Sequence, residues 1–119
     1  MNTQSSVTEA VVRNHLRAFV EQEGIAAILS DYAEDARLYG EARVYHGKRE
    51  IGDFFTGFID SLPAGAIDQF SLKSLRSDGD IAYITWSAGR GIPLGTDTFV
   101  VNDGKIAFQT FAMYTVPAH

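Results

Sequence analysis

The sequence predicts an α+β layer fold, in which three helices cover one face of a curved antiparallel sheet, and three observations carry that prediction. Helical periodicity fills the first half of the chain and strand-type runs fill the second. The two patterns do not alternate, which argues against a parallel βαβ sheet. Short turn signals join the last four runs, as in a meander.

Taken in order, Ser6-Val7-Thr8-Glu9 has the spacing of a capping box, so a helix is expected to start there and to leave residues 1–6 flexible. Val12, Leu16, Phe19 and Val20 recur at helical spacing until Gly24, a stop signal. Ile25, Ile28, Leu29 and Tyr32 form a second, shorter stripe. Beyond Asp35 the pattern turns extended, with short strands expected at 36–39 and 43–45, interrupted by Gly40 and closed by His46-Gly47. Ile51, Phe54, Phe55, Phe58, Ile59 and Leu62 then give the strongest helical stripe in the chain, ended by Pro63. Gly52 and Gly57 within it each cost about 0.5–1 kcal/mol relative to alanine, which packing must outweigh.

Strands are expected over 67–76, 81–88, 96–102 and 106–116, separated by turn signals at Ser77-Asp78-Gly79-Asp80, around Pro93, and at Asn102-Asp103-Gly104. A three-residue turn with Gly104 in the left-handed region pairs Phe99 with Ala107 and Asp97 with Gln109; a two-residue turn pairs Asp97 with Thr110. The first register puts Asp97, Phe99, Val101, Gln109, Phe111 and Met113 on one face, and Thr98, Val100, Ile106, Phe108, Ala112 and Tyr114 on the other. Both faces are apolar. Helices cover one of them, so the other is expected to be buried against a second copy, giving a homodimer through the outer sheet face.

The composition narrows function by exclusion. At 119 residues, with 45% hydrophobic and 21% charged, the chain is a single globular domain's worth. A net charge of −5 with dispersed basic residues makes nucleic acid and anionic membrane poor partners. There is no cysteine, no recognisable leader and no apolar run of the ~18 residues that a span needs, so a cytoplasmic location is expected. The histidines, His15, His46 and His119, form no metal-ligand pattern, and no cofactor is implied. Gly89-Arg90-Gly91 with Gly95 reads as a strand connection and not a phosphate loop, and no serine-nucleophile motif occurs.

Asp97 is the informative residue, because it interrupts a run that is otherwise fit for burial, and an unpaired buried carboxylate is costly. Either it sits in an apolar pocket with Phe99, Phe111 and Met113 as an acid/base with a raised pKa, or it is a structural aspartate paired with an arginine or with Gln109. A catalytic carboxyl needs a companion donor, for which Tyr32, Tyr39, Tyr83, Gln109 and Trp86 are candidates. Tyr39, Phe55, Trp86, Phe99, Gln109, Phe111 and Met113 are the candidate pocket residues. His15 lies beside the stripe of the first helix and is expected at the surface, His46 is expected to prop the start of the third helix, and Glu41 is expected to be a solvated loop residue.

The segments Ile25-Ala26-Ala27-Ile28-Leu29-Ser30-Asp31-Tyr32-Ala33-Glu34-Asp35-Ala36, Tyr45-His46-Gly47-Lys48-Arg49-Glu50-Ile51 into Phe54-Phe55, Asp97-Thr98-Phe99 and Asp103-Gly104-Lys105-Ile106 give residues 12–114 a resemblance. The chain resembles the nuclear transport factor 2-like superfamily, in particular its SnoaL-like branch and more distantly ketosteroid isomerase. The resemblance implies a cone-shaped sheet closed by three helices over a deep apolar cavity, usually in a dimer. It also implies a strand carboxyl at Asp97, an oxyanion-hole donor in the isomerases. The isomerase tyrosine of helix one falls on Leu16 and its general-base aspartate on Gly40, beside Glu41. The arginine of the similarly folded limonene epoxide hydrolases falls on Gly95. SnoaL-like cyclases ask chiefly for one acid/base aspartate in an apolar cavity. The expectation is therefore a protein that binds a small hydrophobic molecule, an isomerase or cyclase with Asp97 as acid/base and Gln109 or Tyr39 as its partner. The alternatives are a noncatalytic dimeric binding module and an adaptor that uses the outer sheet face.

Overall fold

In a computed structural model that describes residues 3–117, α1 (Thr3–Val20) and α2 (Ile25–Leu29) precede β1 (Tyr32–Tyr39) and β2 (Val44–His46). Next come α3 (Gly47–Ser61), a turn of 3-10 helix (Ile67–Gln69), and four consecutive strands: β3 (Phe70–Asp78), β4 (Ile81–Ala88), β5 (Leu94–Asn102) and β6 (Lys105–Tyr114). Among the described residues the strands form one curved sheet in the order β2-β1-β6-β5-β4-β3. The expected meander is β3 to β6. The sheet is not wholly antiparallel, because β1 runs parallel to β6. The α3 crossover carries the chain from β2 to the far edge, and the meander then returns beside β1 in the same direction. Strand pairings so distant in sequence leave no polarity signal in a local pattern.

Helix α1 starts earlier than its capping box implies, with Ser6 inside the helix. Tertiary bonds override the local signal. Gln4 Nε2 donates to the Val101 carbonyl at 3.1 Å, Thr8 Oγ1 donates to the Gly79 carbonyl at 2.7 Å, and the Gly79 N–H donates to Ser5 Oγ at 2.8 Å. The first turns are thus fastened to the β3–β4 turn, so residues 3–6, expected to be flexible, are helical, while residues 1 and 2 lie outside the described residues. Gly24, at φ +102°, separates α1 from α2 in a backbone conformation that side chains disfavour. Tyr32 belongs to β1 and not to the stripe of α2.

The β5–β6 hairpin follows neither expected register. Asp103 and Gly104, both with positive φ, make a two-residue turn that pairs Asn102 with Lys105 and Val101 with Ile106. A bulge at Ala107 then pairs Val100 with Phe108, Phe99 with Gln109 and Asp97 with Phe111. The extra residue restores the face expected for Gln109, Phe111 and Met113, while the tight turn, by pairing Ile106 with buried Val101, puts Ile106, expected outside, into the core. The core lies between the helices and the concave side of the sheet, around Val12, Ile28, Leu38, Ile51, Ile84 and Phe99. The opposite side exposes Tyr39, Ile81, Tyr83, Leu94, Phe108 and Tyr114.

Candidate functional site

Four adjacent strands each place one polar or amphipathic side chain on the concave side: Trp86 from β4, Asp97 from β5, Gln109 from β6 and Tyr32 from β1. Register brings them together. Trp86 pairs with Gly95, two residues before Asp97, and Gln109 pairs with Phe99, two residues after it, so both are diagonal neighbours of the carboxyl. Trp86 Nε1 donates to Asp97 Oδ1 at 2.7 Å, and Gln109 Nε2 donates to Oδ2 at 2.7 Å. The Tyr32 hydroxyl in turn donates to Gln109 Oε1. All four residues are buried.

Burial is the main influence on the carboxyl, and it pushes the Asp97 pKa up to about 6 against the smaller, opposite pull of the bonds from Trp86 and Gln109. Burial, reinforced by the Asp97 charge, holds the Tyr32 phenol well above its ordinary range, so it stays a donor. Gly95 makes the indole position available. A β-carbon there would stand 2.2 Å from the Trp86 ring. The space that a side chain at residue 95 would take is therefore occupied by the tryptophan that holds Asp97.

The network forms one wall of a cleft roofed by Leu16 and Phe19 of α1 and Phe54, Phe55 and Phe58 of α3, with Phe70, Phe99 and Phe111 completing the rings around it. Phe54 stacks on Phe58 at 5.7 Å, and Phe111 meets both edge-on. These rings fill most of the space, leaving a volume of about 40 Å³, room for two or three waters at about 15 Å³ each. Phe19 also borders an open apolar cleft of about 220 Å³ between α2, α3 and the 3-10 turn, lined among others by Ile25, Ile28, Ile59 and Ile67.

Of the sequence candidates, Asp97, Phe55, Trp86, Phe99, Gln109 and Phe111 line the inner cleft. Met113 is half-buried at its margin, beyond the lining residues. Tyr39 does not belong to the pocket: it alternates with buried Leu38 on β1 and so stands on the outer face, 39% exposed. Tyr83 is likewise on the outer face. Glu41 lies in an exposed loop, where its carboxylate accepts from the Met113 N–H at 3.4 Å. His46 occupies the N-cap of α3, but its side chain makes no capping bond; Glu50 instead accepts from the His46 N–H at 2.9 Å.

His15, expected at the surface, is buried and lines the cleft. The buried face of α1 runs through Thr8, Val12, His15 and Phe19, rotated from the stripe through Leu16 and Val20 that hydrophobicity alone picks out. The steps of four, three and four residues along that line were the available signal. Among the described residues no three His, Cys, Asp or Glu side chains are grouped as metal ligands, and no helix is long and apolar enough to cross a membrane.

The family model of the SnoaL-like domain matches residues 12–109 of the chain. No curated protein matches it in sequence. Among solved structures it is similar to an NTF2-like protein of unknown function from Burkholderia xenovorans LB400, with 15% identity, 99% of this chain and 91% of that chain covered, and a TM-score of 0.78. It is also similar to a protein from Kribbella flavida DSM 17836 provisionally assigned as a ketosteroid isomerase, with 20% identity, 98% and 87% covered, and a TM-score of 0.72. A protein from Sinorhizobium meliloti provisionally assigned as a polyketide cyclase gives 20% identity, 87% and 94% covered, and a TM-score of 0.70.

Proposed function

Because the chain belongs to the SnoaL-like domain family, we propose that it binds a small planar hydrophobic molecule in the aromatic cleft and that Asp97 moves a proton on it, as an isomerase or a cyclase does. The observation that carries this reading is the carboxyl itself: Asp97 is buried among aromatic rings, held by two donors, with its pKa near 6. Such a group is mostly ionised at pH 7 yet accepts a proton readily, which is what general acid/base work requires. Asp97 takes a proton from an activated carbon of the bound molecule and returns it at a second position. Gln109 and Trp86 hold the carboxylate in place, and Gln109, rather than Tyr39, is its hydrogen-bonding companion. Entry of a ring-sized molecule requires Phe19, Phe58 or Phe111 to turn, since about 40 Å³ does not hold one. The fold shared with proteins provisionally assigned as a ketosteroid isomerase and a polyketide cyclase supports the same class of chemistry.

Hydrogen–deuterium exchange at the carbons beside the carbonyl of 2-tetralone, followed by NMR, tests the reading. The wild-type protein should accelerate exchange, and Asp97→Asn should lower the rate constant about 10²–10⁴-fold. Equal exchange by the two proteins would remove Asp97 from the chemistry. A second reading is favoured by the donor that each Asp97 oxygen already has: the carboxylate is structural, and the cleft binds without catalysis. It predicts ligand affinity in both proteins and acceleration in neither. The apolar outer face of the sheet supports a homodimer formed through it, in either reading.

A further inference from the structure

The inner cleft, at about 40 Å³, is too small for the molecule that the proton-transfer reading assigns to it, and the outer apolar cleft, at about 220 Å³, has no use in that reading. An apolar cavity of about 150 Å³ accommodates a benzene ring, so the outer cleft has room for a ring and the inner one has not. The two meet at Phe19, which lines both. This residue is 8% exposed, stands in the last turn of α1, and packs on Phe58 and Phe70 with ring centroids 5.9 and 6.2 Å away. A phenylalanine side chain exchanges between a few staggered rotamers, and turning this one removes the partition between the two spaces.

The two clefts differ in character. The outer one is walled by Ile25 and Ile28 of α2, Ile59 of α3 and Ile67 of the 3-10 turn, with Thr56 and Asp60 among its few polar residues. A concave, mostly apolar wall with a small number of polar groups is the usual make-up of a small-molecule pocket. The inner cleft is the polar end: Asp97 and Gln109 line it, and His15 Nδ1 is buried there without a partner among the described residues. A depression between α1 and β3 also touches the inner cleft, at Leu16 and Phe70, but Arg13, Arg17 and Glu21 border it, and an apolar body laid there would desolvate those charges. The way past Phe19 carries no such penalty. Carboxylates at both ends, Asp60 outside and Asp97 inside, disfavour an anion.

We propose that the outer cleft is the second half of the ligand site: Phe19 turns aside, and an uncharged, elongated molecule of two or three rings lies across both spaces. Its apolar body rests among the isoleucines and its polar end lies in the inner cleft. This rests on the inner cleft being the binding site, and it names the shape and charge of the molecule that the site takes.

The probe is 6-propionyl-2-(dimethylamino)naphthalene, an uncharged, elongated ketone whose emission moves to the blue on leaving water. It is titrated at pH 7 into wild type, Thr56→Phe and Ile67→Asp. One substitution adds bulk to the outer cleft and the other a charge, and neither residue lines the inner cleft. Each should weaken binding about tenfold or more. The imidazole NMR signals of His15, which lines the inner cleft and not the outer, are assigned with His15→Phe and should move when the probe binds to wild type. Unchanged affinity in both outer-cleft variants, or no binding to wild type, overturns the outer cleft as a site. Weakened binding with the His15 signals unmoved overturns the passage past Phe19, and this inference with it. If the probe behaves as expected while wild type and Asp97→Asn exchange 2-tetralone equally, the proton-transfer reading falls and the two-part site stands.

Discussion

Asp97 and His15 are both buried and both line the cleft, with displaced pKa values of opposite consequence. The native state keeps the Asp97 proton up to about pH 6, whereas an unfolded chain releases it near 3.8, so the native state gains stability as pH falls between these values. His15 works the other way. An unfolded chain takes up its proton near 6.5 and the native state only near 4, so stability is lost on acidification through that window. Each displacement is worth about 2–3 kcal/mol between pH 7 and pH 4, and in the wild type the two nearly cancel. Denaturant unfolding at the two pH values separates them. Relative to wild type, His15→Phe should gain about 2–3 kcal/mol on going from pH 7 to pH 4, and Asp97→Asn should lose about as much. A difference that stays constant with pH would show that the group is not buried as described. Asp97 was legible in the sequence because a carboxylate in an apolar strand run demands an explanation. His15 was not, because one polar residue beside a hydrophobic stripe looks the same whether the stripe or its flank is buried.

At the scale of elements, the carboxyl is aimed by strand register and by one missing side chain. Gly95 lies under the Trp86 indole, so Gly95→Ala must displace the ring and break its bond to Asp97. The expected cost is about 2–3 kcal/mol in urea unfolding, accompanied by altered fluorescence of Trp86, the sole tryptophan of the chain. Unchanged stability and emission would mean that the indole sits elsewhere. The attachment of α1 to the β3–β4 turn gives a second check. Thr8→Val keeps the shape but leaves the Gly79 carbonyl without the 2.7 Å donor, and should cost about 1–3 kcal/mol in the same assay. The strands, turns and helices were largely readable from periodicity and turn residues. The Ala107 bulge was not, and it decides which way Gln109 and Phe111 face. Its cause is the competition between a tight Asp103-Gly104 turn and the burial of Gln109 and Phe111, a tertiary requirement with no local signature.

At the scale of the molecule, the helices cover one side of the sheet and leave the other with rows of aromatic side chains. Strand pairing aligns Tyr39, Thr110, Thr98 and Tyr83 across four strands, and Phe108, Val100 and Ile81 in the next row. A second copy packed on these rows should give a species of twice the 13.0 kDa chain in light scattering, and Tyr83→Glu with Phe108→Glu should return it to the single mass. A wild-type monomer at micromolar concentration would free this face for another partner. Both faces were legible as apolar in the alternating pattern. The parallel β1–β6 pairing was not, since it depends on where the α3 crossover delivers the chain. The nearly filled cleft was equally hidden, because it depends on how the rings of α1, α3 and β6 interlock.

The carboxyl titration of Asp97, followed by carbon-13 NMR in the unliganded wild-type protein, tests the central claim most directly. A buried acid/base group in an aromatic cleft should titrate with a midpoint near 6. A midpoint at or below the ordinary 3.8 would identify a carboxylate stabilised in its charged form, a structural anchor for Trp86 and Gln109 with no proton to exchange at neutral pH.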